Sequence, residues 1–142
     1  MSTTEESRAV FDKYWACMVA GDVDGMQALC ADDFRSWSPA RGYIDKEATR
    51  KFTDWFRTLL VDGWFEFEDP IVTAEGDRVC FATESRAKLK NGNLYNNTYH
   101  FLQIIRDGKI VETREYNDPA HVMEVLKDEI TAKRAEMAAQ KA

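Results

Sequence analysis

Glu84, Arg86, Asn97, Tyr99, Tyr116 and Asp118 carry groups able to move a proton or to meet developing charge, and their spacing brings them together. Segment 96–118 holds two apolar runs, rich in β-branched and aromatic residues, on either side of Asp107-Gly108, a dipeptide that accepts the positive φ angles of a tight hairpin turn. Counting outward from a two-residue turn opposes Ile105 to Ile110, Phe101 to Arg114, Tyr99 to Tyr116 and Asn97 to Asp118. A second turn at Asn91-Gly92 opposes Glu84 to Tyr99 and Arg86 to Asn97. All six side chains are therefore expected on one face of three adjacent strands. A bulge or a one-residue slip would send a strand's whole set to the other face.

Each group has a chemical and a structural reading. Asp118 is placed to act as a general base or acid beside two phenols. An aspartate before Pro119 also reads as a helix N-cap with proline in the first turn, and accepting backbone N–H bonds would lower its pKa. Glu84, if desolvated, would rise toward a useful pKa; Arg86 beside it would pull the other way, as a structural or substrate-orienting ion pair. Tyr99 and Tyr116 can donate to an oxyanion, an effect worth about 2.7–4 kcal/mol where one such donor is lost. Asn97 would orient a ligand.

Positioning these groups requires the elements before them. Thr3-x-x-Glu6 suits a capping box, after which Val10, Phe11, Tyr14, Trp15 and Met18 recur at helical spacing until Gly21. A short amphipathic segment with Val23, Met26, Leu29 and Cys30 follows, then a strand over 34–38 closed by Pro39 and a loop through Arg41-Gly42-Tyr43. Asp45 caps a third helix carrying Phe52, Trp55, Phe56 and Leu60, ended by Asp62-Gly63. From Trp64 the period becomes two, with strands over 64–73, 78–90, 94–106 and 109–117 forming an antiparallel meander. Asp118-Pro119 opens a last helix with a polar tail over about 128–142. The order predicts one α+β domain over 1–142, helices first and curved sheet second.

The same count puts Phe81, Leu89, Leu94, Leu102, Ile104 and Val111 on the sheet's opposite face. A sheet apolar on both sides must be covered on both, by helices on one and by a second subunit on the other, so a homodimer through the sheet is expected, with the tail helix able to do part of that covering.

Composition narrows the class. With 142 residues, 44% of them hydrophobic, the chain has material for one core, and a net charge of −6 without a Lys/Arg run argues against a nucleic-acid partner. No bilayer-length apolar stretch or leader is present, so a cytoplasmic protein with no membrane partner is expected. Cys17, Cys30 and Cys80 lie apart in apolar patterns and read as buried thiols; with only His100 and His121, no metal site is expected.

Two sets of residues resemble a known superfamily. Arg8-Ala9-Val10 through Tyr14, and Ala20-Gly21-Asp22-Val23-Asp24-Gly25-Met26 through Asp33, look like the opening of ketosteroid isomerase. Glu84, Gly92 through Tyr95-x-Asn97-x-Tyr99, Asp107-Gly108-Lys109-Ile110-Val111-Glu112 and Arg114-Glu115-Tyr116-x-Asp118 look like the SnoaL-like polyketide cyclases. Both belong to the nuclear transport factor 2-like fold. The resemblance implies a cone-shaped α+β barrel: three N-terminal helices packed on a curved antiparallel sheet, plus a C-terminal helix, around a conical pocket. Tyr14 matches the isomerase tyrosine that donates to the oxyanion. The isomerases' catalytic aspartate before a proline is Ser38 before Pro39 here, and their protonated aspartic acid is Tyr99 before His100-Phe101. Steroid isomerisation by that route is therefore not expected.

The expected function is a cofactor-independent lyase, isomerase or cyclase using acid/base chemistry on a small hydrophobic, aromatic or polycyclic, carbonyl or hydroxyl compound. Asp118 or Glu84 would move the proton, and Tyr14 and Tyr99 would hold the oxyanion. Trp15, Trp37, Trp55 and Trp64 lie on elements the fold aims inward and suit a planar ligand, although tryptophans at such spacing also serve simply as core. The alternatives are a ligand-binding or assembly module without chemistry, and an epoxide hydrolase or deformylating lyase of aromatic catabolism.

Overall fold

The computed structural model describes residues 2–141. Ser2 starts the first helix, α1 (Thr3–Ala20), through a capping box one residue earlier than expected: its Oγ accepts from the Glu5 N–H at 3.2 Å, and the Glu5 carboxylate accepts from the Ser2 N–H at 2.8 Å. Gly21, at φ 72°, ends α1 in the left-handed region, and the Met18 carbonyl accepts both from the Gly21 N–H at 3.3 Å and from the Trp64 indole N–H at 2.6 Å. The short α2 (Val23–Ala28) is capped by Asp22, and α3 (Lys46–Thr58) by Asp45, whose carboxylate accepts from the Ala48 N–H at 2.8 Å.

Strand β1 (Cys30–Ser38) turns at Pro39 and is followed by β2 (Gly42–Asp45), where the sequence predicts a loop. The expected strand over 64–73 breaks into β3 (Glu66–Phe67) and β4 (Ile71–Glu75) around Asp69-Pro70, where proline has no N–H to continue a ladder. Both pair with the long β5 (Arg78–Lys88). The third expected strand splits likewise into β6 (Leu94–Tyr95) and β7 (Thr98–Arg106); β8 (Lys109–Asn117) completes the sheet, and α4 (Pro119–Lys141) follows with a kink at Leu126.

Among the described residues the strand order is β2-β1-β8-β7-β5-β3, with β4 and β6 also on β5. One pairing departs from the meander: β1 runs parallel to β8. The helices pack in the hollow of this curled sheet, α1 against β4, β5 and β7 and α3 against β1 and β2, so the expected α+β cone is formed.

The turn at Asp107-Gly108 forms as expected, with φ 51° and 72°, and Ile105 pairs with Ile110. Beyond it a bulge intervenes, because Ile104 opposes Glu112 and Val111 is left over. Tyr99 therefore faces Asn117 rather than Tyr116, and Phe101 faces Glu115 rather than Arg114. On the other edge of β7 the register slips by one: Thr83 opposes Tyr99, and Glu84 opposes Thr98. The two shifts turn Glu84, Arg86 and Tyr116 away from Tyr99, as one-residue changes must. They also bring Phe81, expected outside, across from Phe101 and into the core.

Two apolar clusters hold the layers together. Phe11 of α1 packs on Phe81 with ring centroids 4.8 Å apart, and Phe81 stacks on Phe101 at 4.7 Å, joining helix to sheet. Phe56, Leu60, Leu89, Tyr95, Leu126 and Ile130 form the second cluster, which seats α4 against α3 and the upper sheet. Burying each such large side chain stabilises the fold by about 1.5–3 kcal/mol. No helix among the described residues is long and apolar enough to cross a membrane.

Candidate active site

Between these clusters lies a cavity of about 180 Å³, walled by aromatic side chains from α1, α3 and the sheet. It adjoins a chamber of about 340 Å³ beneath α4, and Arg41, Phe52, Phe56, Tyr95 and Glu115 line both. Tyr14 projects into the inner cavity from α1, Tyr99 from β7, Ser36 from β1 and Thr113 and Glu115 from β8. The bulge at Val111 gives Glu115 its place: residues 113, 115 and 117 follow it with alternate side chains on the concave face.

Glu115 is the titratable acid of this site. Desolvation raises its pKa above the ordinary carboxylate value; the Arg41 cation and a hydrogen bond from the Asn117 amide, at 2.9 Å, offset part of that rise. Arg41 comes from the β1–β2 turn, which folds back over the cavity. Its Nη2 donates to Ser36 Oγ at 3.1 Å, Ser36 in turn bonds the Thr49 hydroxyl at 2.8 Å, and its guanidinium lies 5.2 Å from the Phe52 ring centroid. Its Nε is buried and has no hydrogen-bond partner. Burial lowers the Arg41 pKa, and Glu115 partly restores it.

Burial keeps the phenols protonated. It drives the Tyr14 pKa far above its usual value, with the nearby Cys30, Glu115 and Cys17 adding in the same direction. Burial does the same at Tyr99, and it pushes Tyr95 to about 12 against a hydrogen bond from Asn97. The Tyr99 and Ser85 hydroxyls bond at 2.7 Å, whereas no hydrogen bond engages Tyr14 among the described residues. The cavity thus combines one desolvated carboxylate, one half-buried cation and phenols fixed as donors, the parts of an acid/base site with oxyanion stabilisation.

The structure brings Tyr14, Tyr99 and Trp64 to this cavity and places the other candidates elsewhere. Glu84 is exposed on the convex face, and Arg86 beside it is paired with Glu68. Tyr116 and Trp37 also lie outside, with ring centroids 5.5 Å apart, and Arg114 stacks 3.9 Å over Trp37. Asp118 takes its structural role: its carboxylate accepts from the Ala120 and His121 N–H groups at 3.0 and 3.3 Å, capping α4. Asn97 is buried, but its amide is spent on Tyr95 and on the Asp118 backbone. Trp15 packs on Phe67 and Phe81, and Trp55 on Phe52 and Phe56 beneath Lys133. The sequence reading missed Glu115, Arg41, Tyr95 and Asn117. The bulge conceals Glu115, since strict alternation puts it outside; Arg41 carries no periodic signal in its turn. No three His, Cys, Asp or Glu side chains gather as a metal site among the described residues.

A family model described as a SnoaL-like domain matches residues 11–113. Comparison with curated proteins gives no match. Among solved structures, a candidate isomerase from Bacillus subtilis is similar at 21% identity and a TM-score of 0.76, the match covering 89% of this chain and 96% of that one. A candidate polyketide cyclase from Xanthomonas campestris is similar at 19% identity and a TM-score of 0.78, covering 87% and 98%. TerC, co-crystallised with polyporic acid, is similar at 17% identity and a TM-score of 0.73, covering 87% and 99%. The matched residues run from α1, which carries Tyr14, through the concave strands that carry Tyr99 and Thr113, and the chain belongs to the SnoaL-like domain family of the nuclear transport factor 2-like superfamily.

Proposed function

We propose that this protein is a cofactor-independent enzyme of the isomerase or cyclase type, using Glu115 for acid/base chemistry on a small hydrophobic carbonyl compound with aromatic or polycyclic character. The observation that carries the reading is the desolvated Glu115 carboxylate in a cavity walled mainly by aromatic rings, with Arg41 as the other charged group of the lining. In the reaction, Glu115 takes a proton from carbon next to the substrate carbonyl. The electron pair of that C–H bond moves onto the carbonyl oxygen, and Tyr14, held protonated by burial, donates to the resulting enolate. Glu115, now a carboxylic acid, returns the proton to another carbon, or the enolate closes a ring by attack on an internal electrophile. Arg41 stabilises whichever state is anionic.

The likeness to an isomerase candidate, to a cyclase candidate and to a protein crystallised with a small molecule supports this choice of reaction class. A homodimer through the convex face goes with it, supported by the 47% exposure of Tyr43 and 41% of Tyr116 on either side of Arg114. The test is solvent deuterium exchange. A panel of aromatic ketones in D₂O should acquire deuterium next to the carbonyl faster with the protein than with buffer, and Glu115→Gln should abolish the excess. Equal exchange by wild type and variant on every ketone would overturn the assignment.

A further inference from the structure

The outer chamber differs in charge from the rest of the molecule. The chain carries a formal net charge of −6, yet the charged side chains lining this chamber are Arg41, Lys133, Arg134 and Lys141 against Glu115 alone. Lys133 sits 5.4 Å over the Trp55 ring and bonds Glu136 at 3.4 Å, outside the lining. Arg41 lies at the junction of the two chambers, where its buried Nε lacks a partner. A buried donor left unpaired costs free energy, and a cationic one is best met by an anion. Ser38, Asn117 and Tyr95 add polar groups, and the remaining lining is apolar, with Phe52, Phe56, Val122, Met123, Ile130 and Met137 as its larger side chains.

We propose that this chamber is a subsite for the carboxylate of an aromatic acid, with Arg41 as the direct partner and the α4 cations as the entrance field. The inference rests on the reading of the inner cavity as the reaction chamber and adds the substrate class: an aromatic or polycyclic keto acid whose ring system lies among Phe52, Phe56 and Tyr95 while its carbonyl meets Tyr14 in the inner cavity. A carboxylate in this position would act on Glu115 in the same direction as burial does. A raised pKa lets Glu115 accept and hold a proton beside a second anion.

Calorimetric binding of naphthoate and of naphthamide, neutral and of nearly the same shape, tests the subsite without any need for turnover. Naphthoate is expected to bind about tenfold or more tightly than naphthamide to the wild type. Arg41→Gln should remove most of that preference; its lost contacts to Ser36 and Phe52 affect acid and amide alike, so the ratio of the two affinities reads the charge-assisted bond. The pair Lys133→Met and Arg134→Met, on exposed or rim positions of α4, should weaken naphthoate by about threefold and reduce its salt dependence, and it stands in should Arg41→Gln fail to fold. Equal binding of acid and amide, failure of the acid to bind, or a preference that survives these variants would overturn the subsite. If the preference is absent while Glu115→Gln still abolishes ketone exchange, the subsite falls and the acid/base reading stands. If the preference is present and exchange is indifferent to Glu115, the reverse holds.

Discussion

Glu115 stands directly across from Phe101 on the β7–β8 ladder, and this pairing turns a carboxylate into a cavity that would otherwise be uncharged on its sheet side. The pairing exists because Val111 is left over as a bulge. One extra residue thereby selects which of two neighbouring acidic and basic side chains, Glu115 or Arg114, enters the interior.

Glu115 should make stability depend on pH in a particular direction. Its pKa in the folded protein is raised above the ordinary 4.5, so the folded state holds this proton more tightly than the unfolded chain. The favourable contribution is complete below about pH 4.5 and is lost as pH climbs through the raised value. Glu115→Gln removes this loss. Urea midpoints measured from about pH 4 to about pH 8 should show the variant gaining on the wild type as pH rises, with turnover down by about 10²-fold or more. Parallel curves would mean that Glu115 is solvated.

The two phenols should separate by stability. Tyr99 shares a 2.7 Å hydrogen bond with Ser85, which is only 1% exposed, so Tyr99→Phe strands a buried hydroxyl and should cost about 1–3 kcal/mol. Tyr14 has no such partner among the described residues, and Tyr14→Phe should leave the melting temperature nearly unchanged while lowering kcat by about 10²-fold. A kcat within about threefold of wild type would remove Tyr14 as the oxyanion donor.

The fold was legible because its signals are local. Gly21, Asp45 and Asp107-Gly108 mark helix and turn ends by backbone chemistry, and each does so in the structure. The site was less legible because facing depends on parity. From Asp107-Gly108 the count is correct at Ile105 and Ile110 and wrong from Glu112 onward, since a bulge adds one residue without any mark in composition. Tyr14 was found through helical spacing and family likeness, which are insensitive to a register error in the sheet. Arg41 enters the cavity only because the four-residue β2 returns the chain across the end of β1, a pairing too short to show a clear alternation.

Asp118 and Glu84 supply the complementary controls. Asp118→Asn keeps an acceptor at the N-cap of α4 and should change neither stability nor turnover appreciably, whereas Asp118→Ala should cost about 1 kcal/mol with kcat within about threefold. Glu84→Gln, on the exposed convex face, should be silent in both. A drop of about 10²-fold in kcat for either conservative variant, in steady-state kinetics on a ketone identified by exchange, would return catalysis to these residues.

Asn97 distinguishes a ligand contact from a structural clasp. Its Nδ2 donates to the Tyr95 hydroxyl at 3.0 Å and to the Asp118 carbonyl at 3.4 Å, while its Oδ1 accepts from the Thr98 and Asp118 N–H groups at 2.8 and 3.1 Å. With the residue only 1% exposed, no donor is left for a substrate, and the amide instead ties the start of β7 to the start of α4. Asn97→Ala removes all four bonds at once and leaves backbone groups unpaired at the start of the helix that covers the outer chamber. Urea denaturation should register a loss of about 2–4 kcal/mol, larger than for any exposed cap, because several buried polar groups lose their partner together. A variant that keeps wild-type stability but raises KM would assign Asn97 to the ligand and release α4 from this anchor.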